Sequence, residues 1–157
     1  MPVEPVHGAA EAERRRWMSI LAKARPQEVS QAWDDLTDAP AYSALRAPET
    51  GLVLVRGRMG GGGDAFNVGE MTVTRAAVRL ESGETGVGYV AGRDRRHAEL
   101  AAALDAMMQA PALRPRVEGA VIGRLAQAQT ERRETNARKA AATKVDFFTM
   151  VRTRGPQ

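Results

Sequence analysis

Two amphipathic helices are predicted near the N-terminus by the spacing of apolar residues. Between Glu11 and Ala24 the apolar positions recur at i, i+3, i+4 and i+7, at Trp17, Ile20, Leu21 and Ala24. Pro26 stands where proline favours a helix start, and the same spacing follows at Val29, Ala32, Trp33 and Leu36. The pattern therefore predicts a helical hairpin with tryptophan-bearing faces that another part of the protein covers.

The middle of the chain changes to runs typical of strands. Valine, threonine and alternating side chains fill Tyr42 to Ala47, the run from Leu52 to Met59, Met71 to Leu80, and Gly86 to Ala91. Pro48 to Gly51 and the four glycines Gly60 to Gly63 read as turns. Because short turns join antiparallel strands, the pattern predicts a meander of about four strands.

Arginines alternate with apolar residues along the two central strands. Alternation places Arg56 and Arg58 on one face of the first strand. In the second strand one face is shared by Val73, Arg75, Ala77 and Arg79, and the other by Thr74, Ala76, Val78 and Leu80. A small sheet that carries arginines among apolar residues is a candidate place for function.

The C-terminal third is predicted to be helical. Asp94 can cap a helix that runs to about Gln109, with a buried stripe at Leu100, Leu104, Met107 and Met108. Pro111 and Pro115 break the chain, and a last helix runs from about Arg116 to Thr143. Its second half has no large apolar residue, so it gains little packing energy from its own domain.

Residues 144–157 are more apolar than the helix half before them, because Phe147 and Phe148 are adjacent in a chain with three phenylalanines. One interpretation is a strand that folds back onto the sheet. The other is an apolar anchor for a partner subunit, formed by Phe147, Phe148 and Met150. The predicted organisation is a flexible tail at 1–10, one α+β domain at 11–143, and an extended segment at 144–157 that docks on the sheet or on a partner. The fold class is α+β, with a small antiparallel sheet of about four strands, an N-terminal helical hairpin and C-terminal helices.

The amino-acid composition limits the kinds of function that the protein can have. The 157 residues carry a net charge of +4, and ten Lys/Arg stand against four Asp/Glu from Arg114 onward. The absence of cysteine excludes disulfides and thiolate metal sites on this chain and fits a cytoplasmic location. The sequence shows no membrane span and no secretory signal. The basic balance permits an anionic partner such as a nucleic acid, but the chain shows neither interleaved exposed aromatics nor a familiar binding fold.

Two short features offer candidate chemistry. The amides of Gly60 to Gly63 could cradle a phosphate, but the Lys-Ser/Thr of a nucleotide P-loop is missing, and a plain hairpin turn is the alternative. His97 lies in the first turn of the predicted helix, where a neutral imidazole could act as a base or ligand. A hydrogen-bonded structural histidine is the alternative. No second ordered histidine supports a metal site.

Three segments in order carry a more specific signal. Arg58-Met59-Gly60-Gly61 is followed by Phe66 to Arg75, then by Gly92-Arg93-Asp94 with His97-Ala98-Glu99, and then by Asp146 to Arg152. Together with Arg16 to Met18, these segments resemble the G subunit (PhnG family) of the bacterial carbon–phosphorus lyase core complex, and the resemblance runs from Glu13 to Arg152. Gly62 departs from the threonine common in the family's glycine turn, and Ala76 stands where many members have cysteine.

The resemblance implies an accessory subunit of phosphonate catabolism. Members of the family work with the H, I and L subunits, which displace adenine from ATP with a phosphonate to give α-D-ribose 1-methylphosphonate 5-triphosphate, and the core assembly also contains the J subunit. The chemistry is attributed to the I subunit, so this chain is expected to be essential, not active alone, and without a cofactor or metal of its own. ATP and phosphonate are substrates of the complex. A nucleic-acid-binding or scaffold module is the rival function.

Arginines beside a glycine turn suit a polyanionic substrate, since a guanidinium group binds phosphate oxygens in two places. The predicted anion-binding residues are Arg58, Arg75, Arg93 and His97. Arg58 and Arg75 are expected near one another, because they lie on strands joined across the glycine turn. Pairing of these arginines with Glu70, Asp94 or partner carboxylates is the structural alternative.

Overall fold

The computed structural model of the protein describes residues 7–58 and 62–143. Its fold is a three-stranded antiparallel sheet with helices on one face. The elements are α1 (His7–Lys23), α2 (Pro26–Asp34), β1 (Tyr42–Arg58), β2 (Ala65–Leu80), β3 (Thr85–Ala91), α3 (Arg95–Gln109), α4 (Arg114–Val117), a π-helical turn (Glu118–Ile122) and α5 (Gly123–Ala142). The order of the strands is β1-β2-β3. The predicted α+β class, helical hairpin and C-terminal helices are confirmed.

The strand count is three in the described residues, one fewer than the sequence suggested. Pro48 to Gly51, which the sequence marks as a turn, lies inside β1 and pairs with β2 through Glu49 and Gly51. Irregular register between Ala44 and Glu49 absorbs the proline. Because β1 is an edge strand, Pro48 has no ladder hydrogen bond to break on its free side. Two predicted strands are therefore one long strand.

The inner face of the sheet, which faces the core, carries the β2 residues that the alternating pattern groups together. Thr74, Ala76, Val78 and Leu80 are all buried, and so is Val90 on β3. The opposite face, which we name the outer face, carries Arg75 and Arg79 and is largely exposed. Among the described residues the helices pack against the inner face.

Helix α3 is the centre of the core. The predicted stripe of Leu100, Leu104, Met107 and Met108 is fully buried, and the alanines between these residues are buried as well. The helix is enclosed because it contacts the three strands and also α1, α2 and α4. Apolar residues therefore cover nearly the whole circumference of α3 rather than a single stripe.

Two glycines of β3 allow α3 to touch the strand backbone. A Cβ built on Gly88 would lie 1.9 Å from the Ala98 carbonyl oxygen, and one on Gly86 would lie 2.0 Å from that of Ala102. Real Cβ atoms do not approach this closely, so only glycine fits at either position. The small residues on both sides set the distance between helix and sheet.

The N-terminal helices complete the core as their spacing predicts. Trp17, Leu21 and Ala24 of α1 are buried, and so are Val29 and Ala32 of α2. Helix α1 begins at His7, four residues before the predicted start at Glu11. The last helix is divided, since α4 passes through the π-helical turn into α5, and no residue of α5 beyond Gln129 is buried.

Beyond Gly51 and Val73, β1 and β2 continue as a two-stranded ribbon with exposed faces. Its register runs from Leu52 paired with Thr72 to Arg58 paired with Ala65, with one extra residue on β2 at Val68. Leu52 and Leu54 are 64% and 61% exposed. The ribbon gains little burial from the described part of the chain, so strand pairing is what holds it together.

Candidate functional site

A cleft of about 500 Å³ lies where the ribbon leaves the helix layer. Thr50, Gly51, Leu52 and Thr72 line it from the strands, and Arg93 and Arg95 line it from the segment that joins β3 to α3. The cleft therefore combines two guanidinium groups with threonine hydroxyls and one exposed leucine. Arg93 is the residue of the predicted anion site that it contains.

Hydrogen bonds hold the joining segment against the strands. Gly92, with φ of +93°, donates its amide to the Thr72 carbonyl at 2.8 Å. The Thr74 hydroxyl donates to the Gly92 carbonyl at 2.8 Å and lies 3.0 Å from the Thr50 hydroxyl. A positive φ suits glycine, so Gly92 turns the chain and its neighbour Arg93 emerges into the cleft.

Asp94 caps the helix as the sequence predicts. Its carboxylate accepts the His97 amide at 2.8 Å, which satisfies one of the free donors of the first turn of α3. Asp94 also lines a separate cleft beside α2, with Pro26 and Ser30 among the neighbouring residues. Neither Arg93 nor Arg95 forms an ion pair with any residue in 7–58 or 62–143.

Arg75 has a different environment, because its guanidinium group is already bound. Its Nε donates to the Glu49 carboxylate at 2.7 Å, and its Nη2 lies 2.5 Å from the same oxygen. The bond to Arg75 lowers the pKa of Glu49, and Arg46, at 3.6 Å, contributes a smaller effect in the same direction. The structural alternative for Arg75 is thus present, with Glu49 as the partner rather than Glu70 or Asp94.

Arg58 lies at the far end of the ribbon, and the structure does not bring it near Arg75. It pairs with Ala65, and Arg75 lies ten positions after Ala65 on β2. At about 3.4 Å per residue the two arginines are about 34 Å apart along the strand. The expected proximity of Arg58 and Arg75 is wrong, because the register places the partner of Arg75 at Glu49, nine residues before Arg58.

His97 is buried in the core rather than open to the cleft. It is 3% exposed, and its Nε2 donates to the Leu21 carbonyl at 2.8 Å. Leu21 lies in the last turn of α1, where carbonyl groups lack partners within the helix. Gln129 donates to the neighbouring Ile20 carbonyl at 2.6 Å. His97 and Gln129 thus complete the C-terminal end of α1 from α3 and α5.

A buried carboxylate that the sequence motifs do not include joins three elements. Asp105 of α3 is fully buried and accepts Trp17 Nε1 at 2.9 Å, Arg14 Nη2 at 2.7 Å and the Val87 amide at 2.9 Å. Its hydrogen bond raises the pKa of Arg14 above the ordinary value. The signal was a lone charge in the apolar run Leu100 to Met108.

The predicted partner-binding residues Phe147, Phe148 and Met150 lie outside the described residues. Within 7–58 and 62–143 no cluster of three or more histidine, aspartate or glutamate side chains could hold a metal ion. The same stretches contain no helix that is both long enough and apolar enough to cross a membrane. The cleft at Arg93 and Arg95 is therefore the site whose chemistry the described residues define best.

Comparison with known proteins agrees with the resemblance carried by the motifs. The family described as phosphonate metabolism protein PhnG matches residues 12–153. A relative from Rhizobium meliloti (strain 1021), named alpha-D-ribose 1-methylphosphonate 5-triphosphate synthase subunit PhnG, is 51% identical over 144 residues, which is 92% of each chain. Because the match covers nearly the whole length and includes Gly92 to Glu99, the chain belongs to the PhnG family of phosphonate metabolism proteins.

Proposed function

We propose that this chain is an accessory subunit of an α-D-ribose 1-methylphosphonate 5-triphosphate synthase in the cytoplasm. The assembly breaks the bond between adenine and ribose C1 of ATP and forms a bond from C1 to a phosphonate oxygen, so that adenine leaves. The partners proposed are the I, H and L subunits, together with the J subunit of the carbon–phosphorus lyase system. The observation that carries the proposal is the 51% identity to a relative named as a subunit of this synthase.

The role of the chain in this proposal is to complete the assembly rather than to carry out the bond exchange. Its buried titratable groups already have partners within the chain, since Asp105 binds Arg14 and Trp17, and His97 binds the Leu21 carbonyl. A general base has to reach a substrate proton, which a buried imidazole bound to a carbonyl does not do in this arrangement.

The cleft at Arg93 and Arg95 is proposed to take an anionic group of substrate or product. Two guanidinium groups without an ion pair in the described residues can each bind phosphate oxygens in two places, and the Thr72 hydroxyl lies beside them. Arg58, Arg75 and His97 remain predicted members of an anion site. Arg75 and His97 could take part only after releasing the Glu49 carboxylate and the Leu21 carbonyl.

The test is an adenine-release assay with ATP and methylphosphonate. The I, H and L subunits are purified with and without this chain, and the chain is also assayed alone. We expect adenine release from the complete set, a large loss when this chain is omitted, and none from this chain by itself. Turnover by the single chain at the rate of the assembly, or an assembly fully active without it, contradicts the proposal.

A further inference from the structure

The outer face of the sheet exposes large apolar side chains along its length. They come from all three strands and are 38% to 61% exposed: Val55, Phe66, Val68, Met71, Val87 and Tyr89. Val68 lies directly over Gly57, whose missing Cβ would stand 2.6 Å from the Val68 methyl carbon. Single exposed apolar residues are ordinary, but a row of them on one sheet face is typical of a surface that another protein covers.

Basic residues lie towards one end of this face, since Arg75 is opposite Tyr89 on β3 and Arg79 lies four residues further along β2. Arg46, Arg75 and Arg79 share the outer face, and the carboxylate beside them within the strands is Glu49. Arg79 has no ion pair with a described residue, whereas Glu49 forms ion pairs with Arg75 and Arg46. The outer face therefore combines apolar side chains with an excess of positive charge.

The charge decides between three possible occupants. A second copy of the chain would set one basic face against another. Residues 144–157 contain Lys144, Arg152 and Arg154 against Asp146, so this segment is basic too. Like charges brought together at an interface cost free energy, whereas opposite charges steer and fix a partner. The favoured occupant is a different protein with an apolar surface that bears carboxylates.

We infer that the outer face, which extends from Val55 and Met71 to Arg79, is the surface by which this chain docks onto an acidic, apolar surface of another subunit of the synthase. The inference rests on the proposed function, because it takes the other subunits of that assembly as partners. It goes further in naming the surface, and it is independent of the predicted anchor in residues 144–157. The expected interface has an apolar centre with charged pairs beside it.

A matched pair of variants tests the surface. Val55 and Leu54 are neighbours on β1 that lie on opposite faces of the ribbon. The outer-face variant, Val55→Gln combined with Met71→Gln, is therefore compared with Leu54→Gln. We expect the outer-face variant to bind the co-expressed I, H and L subunits about tenfold more weakly or worse. Leu54→Gln is expected to assemble like the wild type. Equal unfolding midpoints of the isolated variants establish that folding is unchanged.

The charge is tested separately with Arg79→Glu. Because this change places a carboxylate against an acidic partner surface, assembly is expected to weaken by about tenfold, and less so in high salt. Hydroxyl-radical labelling supplies a readout that needs no substitution. Met71 and Tyr89 are expected to react several-fold more slowly in the assembly than in the free chain, while the buried Met108 reacts slowly in both.

Each other result overturns the inference. If the wild type assembles and the outer-face variants assemble equally well, this surface is not the docking site, although the proposed function stands. Failure of the wild type to assemble overturns both. Labelling of Met71 that increases when residues 144–157 are removed from the free chain identifies this segment as the occupant. If the free chain forms a dimer that Val55→Gln with Met71→Gln abolishes, the occupant is a second copy. If it binds a single-stranded oligonucleotide and the same variant abolishes the binding, the occupant is a nucleic acid.

Discussion

Arginine side chains in this protein differ in function because their neighbours differ. Arg75 is held by Glu49, and Arg14 by the buried Asp105, so these two guanidinium groups already have carboxylate partners. Arg93 and Arg95 line a cleft without an ion pair in the described part of the chain. Residue type alone does not separate the two groups, because the partners come from distant parts of the sequence.

The cleft predicts a difference between arginines of the two kinds. Replacing Arg93 and Arg95 with lysine keeps the charge but removes the planar fork, so the assembly is expected to bind ATP about tenfold more weakly or worse. Arg124→Lys is the matched control and is expected to change the affinity little, since the Asp35 carboxylate binds that guanidinium group at 2.9 Å. Equilibrium binding to the intact complex is the measurement. Unchanged affinity in the double variant argues against a ligand role for the cleft.

Tyr42 gives a prediction about pH. Partial burial and the hydrogen bond from its hydroxyl to Glu99 at 2.8 Å raise the pKa of Tyr42 above its ordinary value of 10.0. Because the pKa is raised, the neutral Tyr42 hydroxyl makes its full contribution to the free energy of unfolding below pH 10.0. This contribution is lost as the pH rises through the pKa of the folded state. In the Tyr89→Phe variant, which leaves Tyr42 as the single tyrosine, the absorbance titration is expected to have its midpoint above that of the urea-unfolded chain.

The corresponding control is Tyr42→Phe. This variant is expected to lose less stability than the wild type between pH 9 and pH 11, about one unit on either side of an ordinary tyrosine pKa. Urea unfolding at the two pH values measures the difference. Identical losses in the two proteins would show that Glu99 does not hold the neutral hydroxyl.

At the scale of elements, contact between α3 and β3 sets the thickness of the molecule. Gly88→Ala would place a Cβ 1.9 Å from the Ala98 carbonyl oxygen, so helix and strand would have to separate. We expect the free energy of unfolding to fall by about 1–3 kcal/mol or more, as overpacking of a dense core does. Gly69→Ala on β2 is the matched control, because a Cβ there has nothing within 4 Å. Denaturant unfolding of both variants measures the difference, and similar midpoints would contradict the close packing.

For the whole molecule, the division between a packed body and polar or exposed extensions suits a subunit. The core ends on α5 at Gln129, and the rest of that helix buries no residue. The β1–β2 ribbon likewise leaves Val55, Val68 and Met71 exposed on the outer face. Both extensions make few contacts with the body, so their stabilising contacts are expected in the assembly.

The terminal segment carries the prediction at this scale. Truncation after Thr143 removes Phe147, Phe148 and Met150 and keeps every core residue in the part of the chain that the structure describes. The shortened chain is expected to unfold at nearly the same denaturant concentration but to lose co-purification with the I subunit, because apolar side chains anchor interfaces. Normal assembly of the truncated chain would assign the segment to internal packing instead. Leu54→Gln, on the ribbon but away from the outer face, is a control for the general loss of an exposed apolar side chain.

Local sequence determined much of the fold. The apolar spacing placed Trp17, Leu21 and Val29 in the core, alternation identified Thr74 and Val78 as buried, and Asp94 capped α3, because each of these features depends on residues within one or two turns or a single strand. The motifs from Arg58 to Arg152 also indicated the family, which the comparisons confirm.

Tertiary structure decided where the polar residues act. Register over the long β1–β2 pair separated Arg58 from Arg75, and it turned the expected Pro48 to Gly51 turn into continuous strand. Partners distant in sequence, Leu21 for His97 and Trp17 for Asp105, converted candidate chemistry into structural contacts. Strand register and helix–helix packing join residues far apart along the chain, so local periodicity carries no information about which groups meet.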